Sequence, residues 1–380
     1  MQKLTDEQQL LLENLKELLD RDFGESYYKK LDETGEPPIE LCKALVENGF
    51  ALLGVPEEYG GIPADITTIT LVQEELAKHG APATALTFAL TICDILEFGT
   101  EEQKQKVVDA VTTHFVPPCS LGITEPQAGS DDNAIASTFT RRNGKIYLNG
   151  HKTFMTNGAI SPYVLFIARD PEGKDPRKPF TCFMVSKDAP GISMSPLKKI
   201  GVHCQPTYEA YFENVEVEEK DIVGKEGEGF MFAMKNFEPE RLLLAASCLG
   251  WAEAAFDDAA RYANQRVQFN QPIGSFQLTQ LKITEMYIKI ENMRNMIYNS
   301  AKDLDEGKSG RISTAMCKYY VPKAAQEVID DALQIFGGIG YTCDHRISRL
   351  WKDIRVNRIG GGTDEIMVHI LGRALLKQYK

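Results

Sequence analysis

The apolar residues of this chain change period twice, and that change leaves few folds open. Up to about residue 115 they recur every three or four positions, as in LTDEQQLLLENLKELLDRDF, ITTITLVQEELAKHG and ATALTFALTICDILEFG. This is the spacing of one buried helix face. PPIELCKALVENGF opens on prolines and closes on Gly49, the punctuation of a helix start and stop. After Pro117–Pro118 the period drops to two. YVLFIAR, FTCFMVS, ISMSPL and TYEAYFENVEV read as strands, and STFTRRNGKIYLNG reads as a hairpin around Asn143–Gly144, the strongest short hairpin signal. From about 227 the helical spacing returns. Helices are expected from Pro239 to about 267 and over 276–305, 311–336, 344–357 and 364–378. The expected fold is α+β in three domains: N-terminal helices over 1–117, a middle β domain over 118–226 and a C-terminal helical bundle over 227–380.

Composition narrows the function classes. The chain has 380 residues, more than one ordinary core holds. A net charge of −12 argues against a nucleic-acid partner. No apolar run reaches the ~20 residues of a membrane span. The start, MQKLTDEQQLLLENLKELL, mixes acids with helix-spaced leucines, so a first helix is expected rather than a targeting segment, and a cytoplasmic location with it. The eight cysteines are scattered without a C-x-x-C pair and are expected as reduced thiols. The six histidines have no ligand spacing, and no metal site is expected.

Four stretches carry candidate chemistry. In GITEPQAGSDDNA, 122–134, the peptide N–H groups around Gly122, Ile123 and Thr124 could face a flat heteroaromatic ring. Thr124 and Ser130 could bond a cofactor or phosphate, although an Asx-rich turn between domains reads equally well. KTFMTNG, 152–158, offers the ring of Phe154 and the hydroxyl of Thr156. QIFGGIGYTCDHRISRLWKD, 334–353, holds a glycine cluster between two helices, weak evidence alone. IGGGTDEI, 359–366, joins three glycines to a threonine and two acids. Its glycines allow something large to come close, and nothing protrudes from Gly361 to act on it.

The first and third of these stretches resemble the two signature patterns of the acyl-CoA dehydrogenase family. The length and the α–β–α order are similar as well, so the resemblance covers essentially the whole chain. Within the family, TRRNGKIYLNG, DAARYANQRVQF, AMCKY, HRISR and LGRALLKQY are similar to the crotonobetainyl-CoA reductases of the bacterial carnitine pathway.

The resemblance implies FAD held between the β domain and the C-terminal bundle, a homotetramer, and electron exchange with an electron-transfer flavoprotein. It assigns Gly122, Ile123 and Thr124 to the flavin edge, Phe154 to the ring, Thr156 to flavin N5, and Ser130 to the CoA or FAD phosphates. Arg266, Gln268, Phe269 and Gln277 match the segment that reaches a neighbouring subunit's FAD, with Gln334, Gly337 and Gly338 as its companion. Asn270 departs from the pattern, since many members have Gly there. Thr363 and Glu365 keep the FAD-bonding positions, Glu365 replacing a commoner Gln.

The implied reaction needs a carboxylate to take the α-proton, flavin N5 to take a hydride from Cβ, and a polarised thioester carbonyl. A backbone N–H and the flavin ribityl hydroxyl would polarise that carbonyl. Most members carry the Glu two residues before the loop threonine. Here that position is Gly361, which fits close approach of flavin and thioester but supplies no base. A minority, including the isovaleryl-type and long-chain-type enzymes, place the Glu directly before an Arg on another helix. NFEPERLLLA has Glu240 and Arg241 there, which makes Glu240 the expected base and sets Arg241 near the CoA or in a structural role. The bland alternative is a helix starting at Pro239, with Glu240 as a first-turn acid favoured by the dipole. Asp94, on the helix that lines the acyl pocket in the family, is the candidate for a trimethylammonium group, or an ordinary surface acid. The expected activity is therefore an FAD-dependent acyl-CoA dehydrogenase or enoyl-CoA reductase, acting on γ-butyrobetainyl- or crotonobetainyl-CoA. A short- or branched-chain acyl-CoA dehydrogenase is one alternative. A flavin-binding member that lost catalysis, and serves in a complex, is the other.

Overall fold

The computed structural model describes residues 4–82, 95–173 and 180–379, with only the backbone of 230–236. Among the described residues, the helices that come first are α1 (Asp6–Asp22), α2 (Glu25–Thr34), α3 (Ile39–Glu47), α4 (Ile66–Lys78) and α5 (Glu101–His114), with residues 95–98 also helical before α5. Their starts follow from local chemistry. Thr5 with Gln8, and Thr100 with Gln103, form reciprocal capping boxes, each satisfying two otherwise orphan N–H groups. On α1, Leu12, Leu15, Leu18 and Leu19 are buried, the stripe that the helical spacing predicts.

An eight-stranded sheet follows. Its strands are β1 (Cys119–Gly122), β2 (Thr138–Arg142), β3 (Lys145–Thr156), β4 (Tyr163–Arg169), β5 (Phe180–Ser186), β6 (Ile192–Pro196), β7 (Thr207–Val217) and β8 (Ile222–Val223). The spatial order is β6-β7-β3-β2-β4-β5-β8, with β1 parallel to β4. The expected β2–β3 hairpin turns at Asn143 and Gly144, both at positive φ (53° and 76°), as a type I′ turn requires. Strand β4 is buried on both faces. Leu165 and Ile167 join the core beneath the first helices, while Val164, Phe166 and Ala168 fill the other side of the sheet, because successive side chains point to opposite faces.

The remaining helices are α6 (Gly229–Gln265), α7 (Gln277–Asp305), α8 (Arg311–Phe336), α9 (Arg346–Asp353) and α10 (Asp364–Lys377), with the short hairpin β9 (Val267–Gln268) and β10 (Gln271–Pro272) after α6. They share a core that includes Leu249, Trp251, Met286, Ile290, Val321 and Val328. Two expectations change here. The helix expected over 344–357 is α9 followed by a 3-10 turn at Ile354–Arg358. The helix expected to start at Pro239 starts at Gly229, and Pro239 lies inside it. Its true start is set by the sheet: a Cβ on Gly229 would lie 2.4 Å from the Cys182 nitrogen, so only glycine fits. A proline can open a helix or sit inside one at the loss of a single hydrogen bond, and local sequence does not separate the two. Glu240 is therefore no first-turn acid, and the dipole argument for it falls away.

The loop between β6 and β7 ties the three regions together. Val202 sits at φ +53°, a left-handed conformation costly for a β-branched residue. Its N–H donates to Asp353 Oδ1 of α9 at 2.5 Å, and its carbonyl accepts from Lys199 Nζ at 2.9 Å. Burial pushes the Asp353 carboxyl up to about 6. Asp32 of α2 meets His203 at 2.9 Å and Lys352 at 3.1 Å. Among the described residues no helix is long and apolar enough to cross a membrane.

Candidate active site

Glu240 and Gly361, far apart in sequence, face each other. Gly361 has φ +67°, and a Cβ built there would lie 3.9 Å from Glu240 Oε1, 3.5 Å from Lys318 Cε and 3.1 Å from Leu244 Cδ1. Glu240 is half-buried on α6. Burial raises its pKa, against the smaller pull of the Arg241 and Lys318 charges. Those two cations act on it through space, without a hydrogen bond. A desolvated carboxylate held this way is a stronger proton acceptor than one in water.

Lys318 is the residue that sequence reasoning missed. It lies on α8 with no exposed surface. Its Nζ donates to the carbonyls of Asn357 at 2.6 Å and Gly362 at 3.1 Å, so it grips the backbone before the glycine run and at its last residue. Burial lowers its pKa, and Cys248, Asp364 and Glu240 pull it back up. A signal was available. Thr314, Cys317, Val321 and Ala325 are buried on α8, and position 318 shares their face at helical spacing. A lysine in that phase reads as an error until its backbone partners are known.

Arg241 is buried, its guanidinium 5.5 Å from the Phe237 ring centre. Its Nε has no hydrogen-bond partner among the described residues. Burial lowers its pKa against the pull of Glu240 and Glu238. Thr363 caps α10, its Oγ1 accepting from the Ile366 N–H at 3.3 Å. Glu365 is exposed in the first turn, and its own N–H and the Thr363 hydroxyl lower its pKa. Asp364 is buried and paired with Arg358 at 2.7 Å.

A second wall comes from the sheet. The Thr153 N–H donates to the Thr124 carbonyl at 2.9 Å, and the Ser120 hydroxyl donates to the Thr156 carbonyl at 2.8 Å. Gly122, Ile123, Thr124, Phe154 and Thr156 therefore share one edge. Phe154 lies in a register shift between Lys152 and Met155, at φ +55° and 67% exposed. Such a bulge re-aims a side chain, here turning a bare aromatic ring out of the strand. Beneath the edge, Lys152 Nζ meets Glu125 Oε1 at 2.7 Å and donates to the Ile167 carbonyl at 2.8 Å. Glu125 also accepts from the N–H groups of Ala136 at 2.7 Å and Ser137 at 3.0 Å. Burial lowers Lys152 to about 8 despite its partner. Burial alone would raise Glu125, but Lys152 and Ser137 outweigh it and its pKa is lowered. Leu121 and Ile123 pack on the core that contains Leu243, one turn beyond Glu240. The sheet edge and the carboxylate thus rest on one core.

The third group is exposed. The β9–β10 hairpin turns at Phe269 and Asn270, both at positive φ (52° and 63°). Asn tolerates that conformation, so it serves where Gly is commoner. Phe269 is 88% exposed, and Arg266, Gln268 and Gln277 are exposed beside it in sequence. At the end of α8, Gln334, Gly337 and Gly338 are exposed, and a Cβ on either glycine would meet nothing within 4 Å. Tyr262 of α6 stacks on Phe336 at 4.4 Å, which brings the two helix ends together. Among the described residues no hydrogen bond or ring contact joins this group to Glu240 or Phe154. Ser130 is exposed in the loop after Glu125. Asp94 lies outside the described residues. An outward aromatic ring, a threonine edge and an open glycine cradle fit a flavin dinucleotide that spans two surfaces.

Three family models match in order: acyl-CoA dehydrogenase N-terminal domain over 5–114, middle domain over 120–215 and C-terminal domain over 227–376. The chain is 51% identical over 377 residues to YdiO, a probable acyl-CoA dehydrogenase of Escherichia coli K12, covering 99% of this chain and 98% of that protein. Butyryl-CoA dehydrogenase from Megasphaera elsdenii superposes with a TM-score of 0.90 at 32% identity, covering 99% of this chain and all (100%) of the other. A chain from a structure described as the electron transferring flavoprotein of Acidaminococcus fermentans superposes with a TM-score of 0.92 at 34% identity, again over 99% and 100%.

Proposed function

Because the chain belongs to the acyl-CoA dehydrogenase family, whose enzymes are FAD-dependent oxidoreductases acting on CH–CH bonds, we propose that Glu240 is the base that moves the α-proton of an acyl-CoA. The observation that carries this is the buried carboxylate of Glu240 beside the bare Gly361. FAD, when bound, supplies the two-electron acceptor for the hydride leaving Cβ. Glu240 takes the α-proton, so the two C–H bonds broken leave an enoyl thioester. In the reductive direction Glu240 returns that proton as an acid. Phe154 and Thr156 orient the cofactor ring from the sheet edge formed with Gly122, Ile123 and Thr124. Thr363 and Glu365 hold it from the loop, and Gly361 leaves room for the thioester. Arg241 and Ser130 serve the CoA side, and Asp94, outside the described residues, is kept as the candidate for the trimethylammonium group. The domain division at 117/118 and 226/227 belongs to the same reading.

Arg266, Gln268, Phe269, Gln277, Gln334, Gly337 and Gly338 serve the FAD of a second copy. The exposure of Phe269 together with Leu278, Leu281 and Leu376 supports a homo-oligomer, and we take it as a tetramer in the cytoplasm. An electron-transfer flavoprotein is the partner we propose, in keeping with the Acidaminococcus similarity. The substrate we propose is the γ-butyrobetainyl-/crotonobetainyl-CoA pair.

Heat or acid release is expected to yield about one FAD per chain, and the purified holoprotein is to be screened against saturated acyl-CoAs for flavin bleaching and, once reduced, against enoyl-CoAs for reoxidation. Higher kcat/KM for γ-butyrobetainyl-CoA than for butyryl-CoA supports the substrate assignment. The reverse order points to a plain short-chain enzyme, and recovery of FMN alone removes the cofactor assignment.

Gly361→Glu in a Glu240→Gly background is expected to restore part of the bleaching rate. The new side chain starts 3.9 Å from the old carboxylate, but at φ +67° and 3.1 Å from Leu244, so strain keeps the rescue incomplete. No rescue at any pH would mean that the two positions do not reach the same carbon.

A further inference from the structure

We infer that Lys318 is the positioning residue of this site: one buried ammonium fixes the glycine run against Glu240 and supplies the positive field under which the base works. The inference rests on Glu240 being the base.

The geometry comes first. Lys318 Nζ reaches the carbonyls of Asn357 and Gly362, 2.6 and 3.1 Å away. The first lies in the 3-10 turn after α9 and the second just before the α10 cap. One amine thus ties the 3-10 turn before the glycine run to the last residue of that run, Gly360–Gly362, which has two positive φ values (Gly361 67°, Gly362 100°) and so little preference of its own. The Lys318 stem also touches the space beside Gly361, its Cε 3.5 Å from where a Cβ would be. If a thioester lies over Gly361, its distance from Glu240 is set by this amine.

Burial makes the arrangement expensive, which argues against an incidental contact. A fully buried ammonium costs several kcal/mol unless its donors are used. Here two donors go to neutral carbonyls rather than to a carboxylate, so the charge is not cancelled by an ion pair. The charged and titratable groups facing this amine are Glu240, Arg241 and Cys248 of α6, and Asp364 of α10, which is already paired with Arg358. Among the described residues the charges acting on Glu240 are those of Arg241 and Lys318. Lys318 therefore favours the ionised base without binding it, and leaves it free to accept a proton. A direct Lys–Glu bond would hold the carboxylate away from substrate.

The test uses the holoprotein and two neutral replacements, Lys318→Met and Lys318→Gln, with Lys318→Arg retaining the charge. Stopped-flow bleaching under saturating acyl-CoA is followed across pH. In wild type the rate falls on the acid side as Glu240 protonates. Loss of a nearby positive charge raises the pKa of a carboxylate, so both neutral variants are expected to move that acid limb to higher pH. Their plateau rate is expected to fall ~10²-fold, the scale of a 1 Å misplacement. Lys318→Arg should keep the wild-type limb even with a lower plateau. Independently of turnover, amide hydrogen exchange over 357–363 should quicken in the neutral variants, in flavin-free and loaded protein alike. Where Met is not tolerated, Gln keeps one donor for the Gly362 carbonyl and is read in the same way. An acid limb that stays in place in a neutral variant that still bleaches overturns the field, and unchanged exchange overturns the positioning. Glu240→Gln is run alongside. If it still bleaches at the wild-type rate, the reading of Glu240 fails. If it is dead while the Lys318 variants keep the wild-type limb, only the present inference fails.

Discussion

Glu240→Gln is expected to keep its flavin and its affinity for CoA thioesters while losing ~10²–10⁴-fold in the rate of flavin bleaching, the usual cost of a missing general base. The amide preserves the size of the carboxylate, so packing against Leu244 and Gly361 is retained, and what disappears is the acceptor for the α-proton. Among the described residues no hydrogen bond reaches the Glu240 carboxylate. Glu240 lies well inside α6, not in a first turn. Stopped-flow absorbance at the flavin band decides the matter, and a near wild-type rate in Glu240→Gln would move the search to Asp364 or Glu365. Persistent turnover would at the same time exclude a member that has lost catalysis.

Lys152→Met is expected to be the most damaging single change to stability away from the carboxylate. Lys152 and Glu125 are both buried and meet at 2.7 Å. Removing one partner of such a pair leaves an uncompensated buried charge and costs ~3–5 kcal/mol. The exposed pair between Lys145 of the same strand and Glu216 of β7 is the control, since surface pairs contribute ~0–1 kcal/mol. The loss should reach the cofactor as well, because Lys152 also bonds the Ile167 carbonyl and Thr153 bonds the Thr124 carbonyl, so the edge that carries Phe154 and Thr156 is tied through this strand. Thermal unfolding with the flavin absorbance as a second probe measures both. The pH dependence has a definite sign. The Glu125 pKa is lowered in the folded protein, so its contribution is present above the ordinary glutamate value and is lost as pH falls through the folded one. An equal melting temperature and full flavin content in Lys152→Met would show that the pair does not hold the edge.

What could be read from the sequence divides along physical lines. The α–β–α order, helix α8 over 311–336 and the Asn143–Gly144 hairpin are legible because local spacing and local φ preference dictate them. The start of α6 is not, because it is fixed by how closely Gly229 approaches the sheet at Cys182, a tertiary constraint. The nearness of Glu240 to Gly361 could be expected only from resemblance, since no local pattern links them. Lys318 was hidden for the opposite reason: its helix phase is plain, but its meaning depends on two carbonyls that belong to other segments. The outward turn of Phe154 depends on a register shift between β3 and β7, and alternation alone does not reveal it.

The turn at Val202 has a consequence for the order in which the chain can mature. The carboxylate that relaxes this left-handed valine, Asp353, is separated from it by 151 positions and leaves the ribosome after almost everything else. Domains emerge and fold from the N-terminal end, so until Asp353 appears the loop lacks this hydrogen bond and is free to leave the left-handed conformation, which costs ~1–3 kcal/mol. The last helices to appear therefore act as a latch on the first ones through that loop.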